Sequence, residues 1–160
     1  MSNRQKEIVG LILITYSLLS VISLFGHDIT ESPNGLPLNY KSTNYLGFFG
    51  VWVSHYHYIL LGYTSIIFPI IFAYIGGAIF LKKDIKSTFK LTSFTLITGL
   101  YFSTTMSFFA NISDNLFLNN YFSGFIGLAF STFLFDFSGF IGTSTILFLL
   151  QVMCEFFFAA

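Results

Sequence analysis

The sequence has 160 residues, of which 54% are hydrophobic, 21% are aromatic and only 9% are charged. Because an average soluble domain has about 25% charged residues, this composition excludes a water-soluble fold and indicates a protein of the lipid bilayer. Seven basic and seven acidic residues give a formal net charge of zero, which excludes an overall basic field for nucleic-acid binding.

Four stretches are apolar and long enough to span a membrane, which takes about 20 residues. They are predicted at residues 8–25, 62–81, 91–110 and 139–158. The third stretch also carries small and hydroxylated residues at helical spacing, at Thr92, Thr95, Gly99, Ser103 and Ser107. Such a face is typical of a helix that contacts other helices in lipid.

The basic residues are divided unequally between the two sides of these spans. Six lie before the first span or between the second and third, namely Arg4, Lys6, Lys82, Lys83, Lys86 and Lys90, whereas only Lys41 lies in the other connections. The positive-inside rule therefore predicts that both chain ends and the 82–90 loop are cytoplasmic. The connections 27–44 and 111–121 are then predicted to lie outside.

The segment 45–81 is too long to be one spanning helix. It has no proline before Pro69, and as a straight helix it would measure about 55 Å against a hydrocarbon core of about 30 Å. We expect a break at Gly62, with 45–61 forming a separate interfacial helix along the outer membrane boundary. The segment 121–138 is predicted to do the same before a break at Gly139.

A pattern of small residues recurs 77 positions later in the chain, with Gly47, Gly50, Ser54 and Gly62 matched by Gly124, Gly127, Ser131 and Gly139. At helical spacing these residues line one stripe, which predicts a helix-packing surface where another backbone approaches closely. The predicted fold is therefore all-α and integral to the membrane. A single domain, residues 1–160, has four transmembrane helices in two tandem parallel repeats, about 5–81 and 88–158, each with an outer-surface interfacial helix.

Residues with catalytic or ligand-binding chemistry are few. The sequence has no Walker A motif, no dinucleotide fingerprint, no histidine pair at metal-binding spacing and no catalytic triad pattern. It therefore predicts that the chain is not an enzyme and has no cofactor, metal site or catalytic residue. Asp136, the one carboxylate of the second interfacial helix, is the candidate polar site at membrane depth, although solvation at the outer boundary is the more ordinary explanation for it.

Several of these features together resemble the N-terminal membrane domain of the FtsK/SpoIIIE family of bacterial DNA translocases. They are the four predicted spans with cytoplasmic ends and the run NYLGFFGVWVS at 44–54, followed by Gly62 and Pro69. The second half adds SGFIGLAFS at 123–131 and GFIGT at 139–143. The resemblance covers residues 5–158.

The resemblance implies a membrane anchor that tethers a cytoplasmic hexameric ATPase at the division septum for chromosome segregation. It implies a multi-pass protein of the bacterial inner membrane, whose partners are the bilayer, further copies of itself and other division proteins, with no direct nucleic-acid binding by this chain. Translocation would belong to a motor that these residues do not include. They fit a fragment of a longer translocase and a stand-alone anchor equally.

The alternative function is a small transporter or channel subunit built from a duplicated two-helix repeat. The predicted spans contain too few ionisable groups for an obvious ion or proton path. We therefore expect the anchor.

Overall fold

A computed structural model describes residues 3–34, 41–112 and 122–159. These ranges form α1 (Asn3–Phe25), α2 (Gly47–Leu61), a short 3₁₀ helix (Gly62–Ile66), α3 (Ile67–Phe80), α4 (Ile85–Ile112) and α5 (Gly124–Ala159). No strand occurs in the described ranges. The predicted all-α fold class is confirmed at this level.

Within the described part of the chain, three helical stretches are long and apolar enough to cross a membrane: Asn3–Phe25, Gly47–Phe80 and Gly124–Phe156. They overlap the first, second and fourth predicted spans. The third predicted span lies within α4, which has 28 residues and is therefore about 42 Å long. Its threonines and serines make it less apolar than the other three stretches.

Glycines interrupt the helical path at both predicted breaks. Helix α2 ends at Leu61, and Gly62 then starts the 3₁₀ helix with a φ of 59°. Inside α5, Gly139 has φ 65° and ψ −173°, so the helix is kinked there. Gly47 and Gly124, which begin α2 and α5, also have positive φ, 60° and 61° respectively.

The chain divides into two compact units. The first comprises Met1–His57 and Ile66–Thr95, and the second comprises Tyr58–Ser65 and Leu96–Ala160. Their boundaries differ from those of the predicted repeats, because the segment between α2 and α3 belongs to the second unit and the first turns of α4 belong to the first. Each unit is described separately below.

In the first unit, α1 packs closely against α3. A Cβ atom built on Gly10 would lie 2.8 Å from the carbonyl oxygen of Gly76, so the two backbones touch. Nearer the C-terminal end of α1, the Ser17 hydroxyl donates a hydrogen bond of 2.7 Å to the Pro69 carbonyl near the start of α3. The Tyr16 and Phe72 rings meet edge to face with their centroids 5.0 Å apart.

Candidate functional site

A cluster of polar side chains joins the C-terminal end of α1 to the N-terminal end of α2. We call it the junction cluster and define it by Ser23, His27, Glu31, Asn44 and Ser54. The Ser23 hydroxyl donates a hydrogen bond of 2.6 Å to the Gly50 carbonyl. Both groups are buried away from water, so this bond gives each of them the hydrogen-bond partner that water would otherwise provide.

Asn44 connects the two helices directly. Its side-chain amide donates to the carbonyls of Ser23 (2.9 Å) and Gly26 (3.0 Å), which are among the carbonyls left unpaired where α1 ends. Its Oδ1 atom accepts the backbone N–H of Leu46 at 3.1 Å, just before α2 begins. One buried side chain therefore caps one helix and positions the start of the next.

Two residues of the predicted stripe are involved: Ser54 belongs to the junction cluster, and Gly50 lies against it. A Cβ atom on Gly50 would collide with the amide group of Asn44, so this glycine makes room for a loop side chain rather than for another helix. Ser54 is fully buried. Its hydroxyl pairs with Nδ1 of His27 at 3.1 Å and donates to the Val51 carbonyl at 3.3 Å.

Glu31 organises the connection between α1 and α2. Its side chain is only 2% exposed. The carboxylate accepts hydrogen bonds from the Ser42 hydroxyl (3.0 Å) and from the backbone N–H (2.7 Å) and hydroxyl (3.1 Å) of Thr43. Three hydrogen bonds to one buried carboxyl group therefore hold the two residues that lead into Asn44.

Two ionisable groups follow α1 directly. Burial lowers the pKa of His27, and nearby His55 lowers it further, while Asp28 and Glu31 oppose the shift. Hydrogen bonds from the backbone N–H (2.9 Å) and hydroxyl (2.7 Å) of Thr30 lower the pKa of Asp28. At neutral pH the His27 imidazole is therefore uncharged beside Ser54, and Asp28 is ionised.

In the second unit, the recurring glycines contact backbone. A Cβ atom on Gly124 would collide with the backbone N–H of Gly62 and lie 2.6 Å from the Leu61 nitrogen. A Cβ atom on Gly127 would lie 2.6 Å from the carbonyl oxygen of Ser103 on α4. Gly124 and Gly127 therefore lie close to the backbone of other segments of the second unit.

Ser131 is fully buried and accepts a hydrogen bond of 3.4 Å from the Asn111 amide in the last turn of α4. In the first unit, Ser54 pairs in the same way with His27, just past the end of α1. Each recurring serine thus pairs with a polar side chain at the C-terminal end of the preceding long helix. Ser103 also donates to the Ser123 carbonyl at the start of α5.

Gly47 and Gly139 have different surroundings from the other recurring glycines. Among the described residues, no heavy atom beyond the chain neighbours and the helix's own backbone lies within 4 Å of a Cβ atom built on either residue. Both have positive φ, 60° at Gly47 and 65° at Gly139, which side chains of L-residues disfavour. Their distinguishing property is therefore backbone conformation.

A close contact between α1 and α3 in the first unit involves residues outside the predicted stripe. Gly10 and Gly76 touch, and Ser17, Ser20 and Ser23 of α1 are all buried. The Ser20 hydroxyl has no hydrogen-bond partner among the described residues. Serines at intervals of three in an otherwise apolar helix were the available signal for this face.

The remaining predicted residues lie at the surface. Asp136 is exposed on α5 and forms no hydrogen bond or ion pair with any residue that the structure describes. The basic residues are also exposed: Arg4, Lys6, Lys82, Lys83, Lys86 and Lys90. Lys82 forms an ion pair of 2.9 Å with Glu7, which links the turn after α3 to the first turns of α1. No group of three potential metal ligands occurs within the described ranges.

A family model described as the 4TM region of DNA translocase FtsK/SpoIIIE matches residues 2–160. The match includes both units and every residue of the junction cluster. No curated protein and no solved structure matches the chain.

Proposed function

Since the chain belongs to the family of the 4TM region of the DNA translocases FtsK and SpoIIIE, we propose that it is the membrane anchor and assembly domain of a cell-division DNA translocase. It tethers a cytoplasmic hexameric ATPase at the septum, where the motor segregates chromosomal DNA. The observation that carries this function is the family match along residues 2–160. The multi-pass helical architecture supports it.

The anchor crosses the membrane four times, with α4 as the third span and both chain ends in the cytoplasm. The length of α4, 28 residues, is sufficient. Its polar face is compatible with lipid because Thr92, Ser103 and Ser107 are buried within the chain. Polar residues in membrane helices are tolerated where protein covers them.

The contacts within the first unit suit a domain that must resist mechanical force. A motor that pulls on DNA exerts an equal force on whatever holds it. Backbone contacts such as Gly10 with Gly76, and buried hydrogen bonds such as Asn44 to Ser23, resist separation of neighbouring helices because breaking them exposes unpaired groups to lipid. The junction cluster keeps α1 and α2 in a fixed relation under that force.

The transporter alternative gains no support from the second unit. A cavity of about 190 Å³ lies there, lined by apolar residues that include Ile97, Leu100, Leu147 and Leu150. An ion or proton path needs ionisable or coordinating groups along it. This cavity has an apolar lining and offers no such path.

Septal localisation tests the anchor. The full chain, fused at its C-terminus to a fluorescent protein, should concentrate in a band at midcell in dividing bacteria and should retain a Walker A ATPase when it is purified from those cells. A Gly77→Leu variant should behave identically, since a Cβ atom at Gly77 meets no side chain or other helix within 4 Å in the described ranges. Gly76→Leu, next to it, should lose the band because it separates α1 from α3.

Uniform peripheral fluorescence of the wild-type fusion would contradict the septal role. A midcell band without a retained ATPase would contradict the tethering role and leave septal targeting in place. Both outcomes are read from the same cells, so the two parts of the function are tested separately.

A further inference from the structure

We propose that the turn between α3 and α4 is a binding site for the phosphate headgroups of anionic phospholipids. The ligand is a lipid phosphodiester at the cytoplasmic surface, and its recognition elements are Lys83, Lys86 and Lys90. This inference rests on the membrane placement proposed above.

Positive charge is concentrated at this end of the first unit. The basic residues at the start of α1 and around the α3–α4 turn are all exposed: Arg4, Lys6, Lys82, Lys83, Lys86 and Lys90. Two acids, Glu7 and Asp84, lie among them. Six basic residues against two acids give this surface an excess of positive charge, and one of the acids, Glu7, pairs with Lys82 at 2.9 Å.

The backbone fixes where these lysines lie. Lys82 adopts a left-handed conformation with φ 55°, and the Lys83 N–H donates to the Ala78 carbonyl at 2.9 Å, which ends α3. Asp84 then starts α4, since its carboxylate accepts the Lys86 N–H at 3.2 Å and its carbonyl accepts the Thr88 N–H at 3.3 Å. The Asp84 charge is thereby directed at the N-terminus of α4.

Lys83, Lys86 and Lys90 follow one another at intervals of three and four residues. Lys86 and Lys90 therefore lie along one side of the first turns of α4, and Lys83 is in the turn just before that helix begins. Helix α4, with 28 residues, exceeds a hydrocarbon core of about 30 Å by roughly eight residues. Its predicted spanning part begins at residue 91, so all three lysines precede it, at the depth of the lipid phosphates.

An exposed aromatic ring supports contact with lipid in particular. Phe89, between Lys86 and Lys90, is 71% exposed. An exposed apolar ring among basic residues is typical of a helix segment that lies in the headgroup region. A nucleic-acid surface would require a wider basic face, and the whole chain has a net charge of zero.

The test compares the full chain in nanodiscs of phosphatidylcholine with nanodiscs that contain phosphatidylcholine and phosphatidylglycerol in equal parts. Native mass spectrometry of the released protein measures which lipid it retains. The wild type should retain phosphatidylglycerol preferentially. The triple variant Lys83→Gln, Lys86→Gln, Lys90→Gln should lose roughly tenfold or more of that preference, whereas Lys41→Gln, on the predicted outer side, should keep it.

Equal retention of phosphatidylglycerol by the wild type and the triple variant would overturn the inference. Competition experiments add two further outcomes that would overturn it. If inorganic phosphate abolishes the lysine-dependent retention of phosphatidylglycerol, the lysines form a free-phosphate site. If a short DNA duplex binds in a lysine-dependent way, they form a nucleic-acid surface. Circular dichroism spectra and melting temperatures in phosphatidylcholine should be equal for all variants. This control shows that a loss of lipid preference is not caused by misfolding. If cysteine labelling instead shows residue 86 outside the cell, the membrane placement fails while the lipid measurement still decides the site.

Discussion

Gly10 of α1 and Gly76 of α3 occupy each other's side-chain space. A Cβ atom on Gly76 would lie 2.9 Å from the Gly10 carbonyl oxygen, and one on Gly10 would lie 2.8 Å from the Gly76 carbonyl oxygen. Gly77 is the next residue along α3, and no described residue beyond its own helix backbone and chain neighbours lies within 4 Å of its Cβ position. Substitutions at Gly76 and Gly77 therefore allow the effect of helix packing to be measured separately from the effect of helix propensity.

The first prediction is that Gly76→Ala destabilises the protein whereas Gly77→Ala does not. Alanine favours the helix by up to about 1 kcal/mol over glycine at both positions, but at residue 76 it forces the helices apart at a cost of about 1–3 kcal/mol. Thermal unfolding in detergent, followed by the fluorescence of Trp52, should show a lower melting temperature for Gly76→Ala only. Equal shifts for the two variants would contradict close packing here.

The second prediction compares two glycines with the same φ. Gly47 has φ 60° and open space around its Cβ position, whereas Gly124 has φ 61° and backbone atoms of Leu61 at 2.6 Å. Gly47→Ala should cost about 1–2 kcal/mol, the price of a left-handed conformation. Gly124→Ala should cost more in a chemical unfolding titration, because steric overlap adds to the strain. A larger loss at Gly47 would contradict the structure.

The third prediction concerns Asn44. Asn44→Ala should lower the free energy of unfolding by about 1–3 kcal/mol for each carbonyl of Ser23 and Gly26 that becomes unpaired. Thr145→Val is the matched control, because the Thr145 hydroxyl is exposed and bonds only the Ile141 carbonyl of its own helix at 2.8 Å. Hydrogen exchange should also accelerate at the end of α1 in Asn44→Ala. Unchanged exchange there would exclude a capping role.

The fourth prediction is a pH dependence of stability that originates at His27. Burial and His55 lower its pKa in the folded protein, against the opposing charges of Asp28 and Glu31. The unfolded chain, with a histidine pKa of about 6.5, therefore takes up the proton first as the pH falls. Stability from this group is fully present above that value and decreases as the pH falls from it toward the lower folded-state pKa.

His27→Gln keeps a polar partner for Ser54 but does not titrate. Melting temperatures measured between pH 8 and pH 5 should fall less steeply for His27→Gln than for the wild type. The difference in slope should correspond to roughly one proton taken up on unfolding. Identical slopes would show that His27 does not contribute.

The fifth prediction is topology. In a Cys154→Ser background, cysteines at Lys86 and Asn34 should react with a membrane-impermeant maleimide from opposite sides of the cell membrane, because the basic residues divide six to one between the two faces. Labelling of both positions from outside would contradict the four-span arrangement.

Local features of the fold were predictable because they leave local patterns. The breaks at Gly62 and Gly139 could be predicted because an apolar run too long for the bilayer must bend, and glycine is where it bends most easily. The burial of Ser103 and Ser107 followed from helical spacing. The sequence could not distinguish a glycine needed for close approach, such as Gly127, from one needed for positive φ, such as Gly139, since both appear simply as small residues.

The junction cluster could not be predicted for a different reason. Its bonds join Glu31 to Thr43 and Asn44 to Ser23, side chains and backbone groups that have no periodic relation in the sequence. An acid in a polar connection is ordinarily solvated, so nothing marked Glu31 as buried. Only the folded path of the connection between α1 and α2 brings these groups together.

The kink of α5 has a stereochemical consequence. At φ 65° and ψ −173°, Gly139 occupies a region of backbone space that L-residues essentially never adopt. The mirror image of this conformation is an ordinary extended one, so a D-amino acid would adopt it without strain. A semisynthetic protein with D-alanine at this position should therefore keep the kink, whereas L-alanine should lose it although no other described segment lies within 4 Å of its methyl group. The backbone conformation of position 139 thus favours one chirality.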